Sequence, residues 1–266
     1  RLRLISILMV LRRETIDTIG YFDMGFFHDF TEDDYSARVR RAGYKLMLCG
    51  DTWVHHDHDF RNMEDKDPVK FRESLEQGRK NYQEKYYGLD AWDDINNYEL
   101  SLINLLGSAK ASDGRNILGI DTRCGMPILS IRNYLRKQGL LNASDASYAF
   151  TTQAKYYQDL LFATEGHVVC DRIDYLSEYY PVGSMDYIIL GEPVNLYAKP
   201  ISLTQTIVSL LKKGGKALIK LKNCVDVHTL FNLLGIEQSL DADMPIQISL
   251  NDFSQCLKAI GAKQIK

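Results

Sequence analysis

Three groups of residues could do chemistry, and each also has a plain structural explanation. The first is Thr31-Glu32-Asp33-Asp34, followed by Arg38, Arg40 and Arg41. Consecutive carboxylates at a helix start are favoured by its macrodipole, so alone they read as a helix cap paired with the arginines. The second is His55-His56-Asp57-His58-Asp59, which alone reads as a solvated polar loop. The third is the segment Asn116 to Pro127, where a short apolar strand runs into a turn containing Asp121 and Gly125. Glycine is favoured in such a turn because backbone must approach a ligand closely. The alternative is a tight strand-to-helix turn with no ligand. Asp145 follows at the distance where doubly wound nucleotide sites place an acidic residue for ribose hydroxyls. Asp171 follows the strand-like Val168-Val169-Cys170, where a side chain can reach an adenine edge.

The elements that must position these groups change character near residue 100. Before it, Leu4 to Val10 is strand-like, and Ile19 to His55 reads as strand, acidic loop, short helix over 36–42 and a second strand over Tyr44 to Leu48. A half-solvated helix is expected from Pro68, a good first-turn residue, to Tyr86, with Gly88 as its stop. Asp90 to Asn97 is a polar connector. Beyond it the period changes. Strands are expected at 116–120, 140–144, 167–170, 186–190 and 216–220. Helices are expected at 99–106, 128–138, 152–164, 203–212 and 251–260. Strands alternating with helices of this length indicate a doubly wound α/β sheet.

Composition sets the outer bounds. The 266 residues are 45% hydrophobic and 25% charged, enough to build a sizeable core and exclude wholesale disorder. A net charge of −3 leaves no electrostatic footprint for nucleic acid. The five scattered cysteines form no C-x-x-C pair, which argues against a disulfide framework or zinc finger and suits a reducing cytoplasm. No apolar stretch approaches the ~18–20 residues that cross a bilayer. The chain opens Arg1-Leu2-Arg3 and runs straight into an apolar segment, which reads as a fragment of a longer protein.

The order of residues in the first part adds a chemical reading. Met9-x-x-Arg12-Arg13, Ile19-Gly20-x-Phe22-Asp23, Thr31-Glu32-Asp33-Asp34-x-x-x-Arg38, Ala42-Gly43-Tyr44-Lys45 and Val54-His55 follow one another. Over about 60 residues this resembles the C-terminal half of a family 2 inverting (GT-A) glycosyltransferase. The resemblance implies a nucleotide-sugar donor, a glycan or lipid-linked acceptor, and a divalent cation (Mg or Mn) at the donor diphosphate. Asp33 would take the proton from the attacking hydroxyl, Glu32 would shape the acceptor pocket, and His55 would serve the metal or diphosphate. Arg38 would bridge back to the acidic loop. The nucleotide-binding half with its Asp-x-Asp motif is absent from these residues. Such enzymes work in the cytoplasm, often at the inner face of the membrane.

The second part looks like a class I S-adenosylmethionine-dependent methyltransferase over residues 98–266. It is similar in particular to domains fused behind family 2 glycosyltransferases in bacterial surface-glycan synthesis. Gly191-Glu192, Gly214-Gly215, Lys222-Asn223 with His228, and Ser249 to Phe253 carry that likeness. By resemblance, Asp121 and Gly125 would meet the methionine end of the cofactor, Asp145 the ribose and Asp171 the adenine. Glu192 would stand beside the transferring methyl, and His228 or Glu192 would act as base. The pattern departs from the family at the turn, where Arg123-Cys124-Gly125-Met126-Pro127 lacks two glycines, and after the fourth strand, where Asn195-Leu196 replaces an acid and a histidine.

Two domains are therefore expected: an incomplete glycosyltransferase portion over 1–95 and a Rossmann-like methyltransferase sheet over 96–266. Together they imply a bifunctional glycan-modifying transferase fragment. The competing reading is a degenerate methyltransferase fold that holds the glycosyltransferase without chemistry of its own. A dinucleotide-dependent reductase shares the βαβ logic but lacks its glycine fingerprint.

Overall fold

Period-two alternation along the strands explains why the sheet is covered on both faces. The structure, a computed structural model, describes residues 2–4, 8–26, 30–55, 67–109, 113–223, 246 and 248–262. Its strands are β1 (Asn116–Ile120), β2 (Ala146–Thr151), β3 (Val168–Cys170), β4 (Met185–Leu190) and β5 (Leu211–Leu218). Its helices are α1 (Arg13–Ile19), α2 (Thr31–Arg41), α3 (Pro68–Lys85), α4 (Leu100–Asn104), α5 (Met126–Lys137), α6 (Tyr157–Thr164), α7 (Leu176–Tyr179), α8 (Pro200–Leu210) and α9 (Leu250–Ala259). The strands form one parallel sheet in the order β3-β2-β1-β4-β5. Side chains alternate across it. Ile117 and Ile189 enter one core with Ile128, Ile131 and Leu135 of α5 and Leu160 of α6. Leu118, Ile120, Ile188 and Leu190 enter the other with Leu176, Leu203, Ile207 and Phe253. A Rossmann-like, doubly wound α/β sheet is thus present, with the expected order of strands and helices.

Two strand expectations shift. β5 begins at Leu211 and runs through Gly214-Gly215, so the preceding helix ends at Leu210 rather than at 212 and no turn separates the two there. The other shift has a consequence for the site. Residues 140–144 are not a strand; β2 begins at Ala146. Asp145 instead accepts from the backbone N–H groups of Asn142 (3.0 Å) and Arg115 (2.8 Å), closing a turn just before the strand.

Among the described residues no strand occurs before Asn116. The strand readings at Leu4 to Val10 and Tyr44 to Leu48 are corrected for the residues described there, and Ile19 ends helix α1. A strand requires a neighbour to pair its backbone groups, and Met47 and Leu48 stand exposed without one. The described residues give no signal of a separate GT-A sheet. The acidic run is also placed differently, in the first turn of α2 rather than in a loop. Helix α3 matches its expectation: Pro68 opens it, and the Asp67 carboxylate accepts from the Lys70 N–H at 3.1 Å.

This first segment does not stand apart from the sheet. Leu2, Phe26, Phe30, Tyr82, Tyr86 and Ile95 share a core with Ile117 of β1 and Leu160 of α6. A buried ion cluster seals the contact. Asp159 of α6, 1% exposed, receives Arg40 Nη2 at 2.6 Å and Arg41 Nη2 at 2.9 Å, and Arg40 also donates to the Leu2 carbonyl. The two arginines hold Asp159 below the usual carboxylate range against the opposing effect of burial. Removing one member of such a cluster strands a buried charge, so Asp159→Ala is expected to destabilise the chain by about 3–5 kcal/mol. Urea denaturation measures it; a loss under about 1 kcal/mol would place the pair with weak surface bridges instead.

Candidate functional site

Chain reversal between β1 and β4 makes a switch point, and open α/β sheets bind ligands in the crevice outside the carboxyl ends of their strands there. A cleft of about 550 Å³ lies at that edge. One wall carries Asp121, Arg123, Thr152, Glu192 and Tyr197, which follow the strand ends. The other is made by Asp90, Asp93 and Asp94 of the connector, which proves to be packed rather than free: Ala91 and Ile95 are buried, and the Cys124 N–H donates to the Asp94 carbonyl at 3.3 Å.

Asp121 sits at the end of β1 with φ +47° and is 5% exposed. Its Oδ1 accepts from the Thr152 N–H (2.7 Å) and hydroxyl (3.0 Å), and its Oδ2 from the Tyr197 phenol (2.8 Å). Burial, reinforced by the Asp121 charge, pushes the Tyr197 phenol up, so it remains a donor. Gly125, φ +93°, precedes α5, and a Cβ there would lie 2.6 Å from the Ala163 Cβ. Glycine is required by the packing of α6. Gly191 is tighter still: a Cβ would fall 2.2 Å from the Asp121 carbonyl oxygen, so the tails of β1 and β4 touch.

Glu192 lies on the cleft wall but is engaged, because Arg123 Nε donates to its Oε1 at 3.0 Å. Arg123 Nη1 also donates to the Asp93 carbonyl at 2.9 Å and lies 3.8 Å from the Asp94 carboxylate. Asp171 follows β3 and accepts from the Tyr179 phenol (2.5 Å) and the Arg172 N–H (2.7 Å), bonds that hold its carboxyl below the usual range. Asp145 is at the opposite, amino-terminal edge of the sheet from Asp121 and Asp171. His228 lies outside the described residues. The structure therefore brings together Asp121, Glu192 and the turn at Gly125, but not Asp145.

The residues as they stand do not fit the S-adenosylmethionine that the sequence resemblance implies. Asp121 has both oxygens bonded within the chain, and the cleft is bridged by Arg123. Thr152, not an acid, follows β2, and its hydroxyl faces Asp121.

The acidic cluster forms a second candidate site. Asp33 is 1% exposed, with the Arg3 guanidinium against Oδ1 and no hydrogen bond to Oδ2 among the described residues. Burial pushes its carboxyl up to about 7 despite the opposing charge of Arg3. Glu32 is half-buried beside it. Asp34 is engaged otherwise: it takes the Tyr86 phenol (2.6 Å), Lys85 Nζ (2.6 Å) and Arg38 Nε (2.9 Å). Arg38 further donates to the Ile19 and Tyr21 carbonyls. His55 is exposed, with its ring near Trp53; among the described residues no three His, Cys, Asp or Glu side chains gather to hold a metal. His56 and His58 lie outside the described residues. Sequence reasoning missed Arg3 and the bridging role of Arg123; the latter had a signal in the bulky residue that replaces a turn glycine.

No family model and no curated protein matches the sequence. Solved structures similar to it include an S-adenosylmethionine-dependent methyltransferase from Archaeoglobus fulgidus (17% identity, 68% of this chain and 72% of that one, TM-score 0.43). YcgJ from Bacillus subtilis is 15% identical over 61% and 68% of the two chains, with a TM-score of 0.47. Phosphoethanolamine N-methyltransferase 2 of Haemonchus contortus is 16% identical over 77% and 44%, with a TM-score of 0.45. The order and parallel pairing of the strands carry the fold assignment. No helix among the described residues is long and apolar enough to cross a membrane.

Asp33 gives a pH prediction. Its folded carboxyl holds its proton more tightly than the unfolded one, so its stabilising effect is complete below about pH 4 and is lost as pH rises to about 7. Asp159 and Asp90, held low by their arginines, keep their charge across this window. Stability is expected to fall by up to about 1.4 kcal/mol per pH unit through it. Asp33→Asn should flatten the profile, which urea midpoints at about pH 5 and about pH 8 will test. An unchanged slope in the variant would refute the assignment.

Proposed function

We propose that this chain belongs to a glycan-modifying transferase, with its α/β unit serving as a scaffold for the acceptor-side portion of a family 2 inverting glycosyltransferase. The observation that carries this reading is Asp33: a water-excluded carboxyl raised to about 7, on a helix that Arg40 and Arg41 pin to α6. A general base works best with its pKa near the operating pH. Asp33 takes the proton of the acceptor hydroxyl as that oxygen attacks the anomeric carbon, and Glu32 lines the acceptor side. The donor is a nucleotide sugar and the acceptor a glycan or lipid-linked glycan, met in the cytoplasm at the inner membrane face. A divalent cation would neutralise charge on the leaving diphosphate, with His55 as this chain's contribution. In the scaffold unit, Asp121 and Glu192 hold the sheet ends and the connector together, and S-adenosylmethionine is not used.

A second reading keeps methyl transfer as an additional activity. The position of the cleft, at the switch point where such sheets bind ligands, favours it. Two measurements decide. Calorimetric titration with S-adenosylmethionine to millimolar concentration is expected to give no saturable heat; a saturable isotherm would establish the second reading in place of the scaffold. Nucleotide-sugar-dependent transfer by the intact protein is expected to fall by about 10²–10⁴-fold in Asp33→Asn with its fold preserved. Activity close to the unaltered protein would remove Asp33 as the base.

A further inference from the structure

The turn after β1 keeps a charged residue where its backbone would prefer none. Arg123 has φ +52°, a conformation in which an L side chain is strained and glycine is not. Its guanidinium meets Glu192 on the strand-end wall of the cleft at 3.0 Å and the Asp93 carbonyl on the connector wall at 2.9 Å. The side chain therefore bridges the cleft and ties its two walls together.

From this geometry we infer that Arg123 is a gate that closes the cleft to S-adenosylmethionine by bulk, its side chain spanning the space between the two walls. Removing the side chain opens the cleft to that cofactor. Asp121, Thr152 and Tyr197 remain on the cleft wall, with donors and acceptors that can exchange their mutual bonds for bonds to a ligand. The inference rests on the scaffold reading, and the two fail separately.

The test is calorimetric titration of the chain and of Arg123→Gly with S-adenosylmethionine and with S-adenosylhomocysteine, which lacks the sulfonium charge. The expected result is no saturable heat with the unaltered chain and saturable binding of S-adenosylmethionine to Arg123→Gly, tighter by at least about tenfold. An equal gain for the two ligands supports the gate of bulk; a gain for S-adenosylmethionine alone overturns it, because charge and not bulk would then have kept that ligand out. A folded Arg123→Gly, judged by circular dichroism, that still binds neither ligand overturns the gate. If the glycine variant does not fold, Arg123→Ala is held to the same outcomes, because it also removes the bridging guanidinium. Saturable binding of S-adenosylmethionine by the unaltered chain overturns both the scaffold reading and the gate.

Discussion

Two charges that have left water, Arg40 and Asp159, with the half-buried Arg41 beside them, set the terms for the rest of the molecule. Taking ions into a protein interior costs several kcal/mol each, and only close, hydrogen-bonded partners offset it. Here the partners come from helices far apart in sequence, α2 and α6. Neither helix can be folded comfortably without the other, and the apolar residues around them merge into one core that reaches from Leu2 to Leu218. Asp33 lies two turns earlier on the same helix, so the burial that raises its proton affinity follows from where α2 is fixed.

The charged residues of α2 show how little adjacency in sequence says about role. Asp33 faces Arg3, Asp34 faces Lys85 and Tyr86, and Arg40 and Arg41 face Asp159. The same division of labour recurs at the carboxyl edge of the sheet. Asp121 ties the end of β1 to Thr152 and Tyr197, and Glu192 answers Arg123 across the cleft. Polar groups that could hold a ligand instead hold the architecture, and the close passage of the two strand tails at Gly191 leaves their order little freedom.

The sheet was legible in the sequence because continuous apolar runs and their intervening helices reflect burial on two faces, as at Ile117 to Ile120 and Tyr187 to Leu190. The strand near 140 was misplaced because an apolar pair, Leu140-Leu141, resembles a strand start, whereas the Asp145 turn that fixes the true start depends on Arg115, distant in sequence. That slip moved a ribose-binding assignment to the wrong edge. Strands before residue 100 failed for a related reason: an apolar run records a tendency, while a strand needs a partner. At the sites, residue types such as Asp33, Asp121 and Glu192 could be singled out from spacing. Their availability could not, because it depends on Arg3, Tyr197 and Arg123 arriving from elsewhere in the chain.

The shared ion cluster also constrains how such a protein can be inherited. Positions 40 and 159 form one unit of change: a substitution at 159 leaves Arg40 stranded in the core until a second substitution follows. Exchange of segments between related genes with a crossover near residue 100 would separate the arginines from their carboxylate. A hybrid of that kind keeps its core only if the pair at 40 and 159 is replaced together.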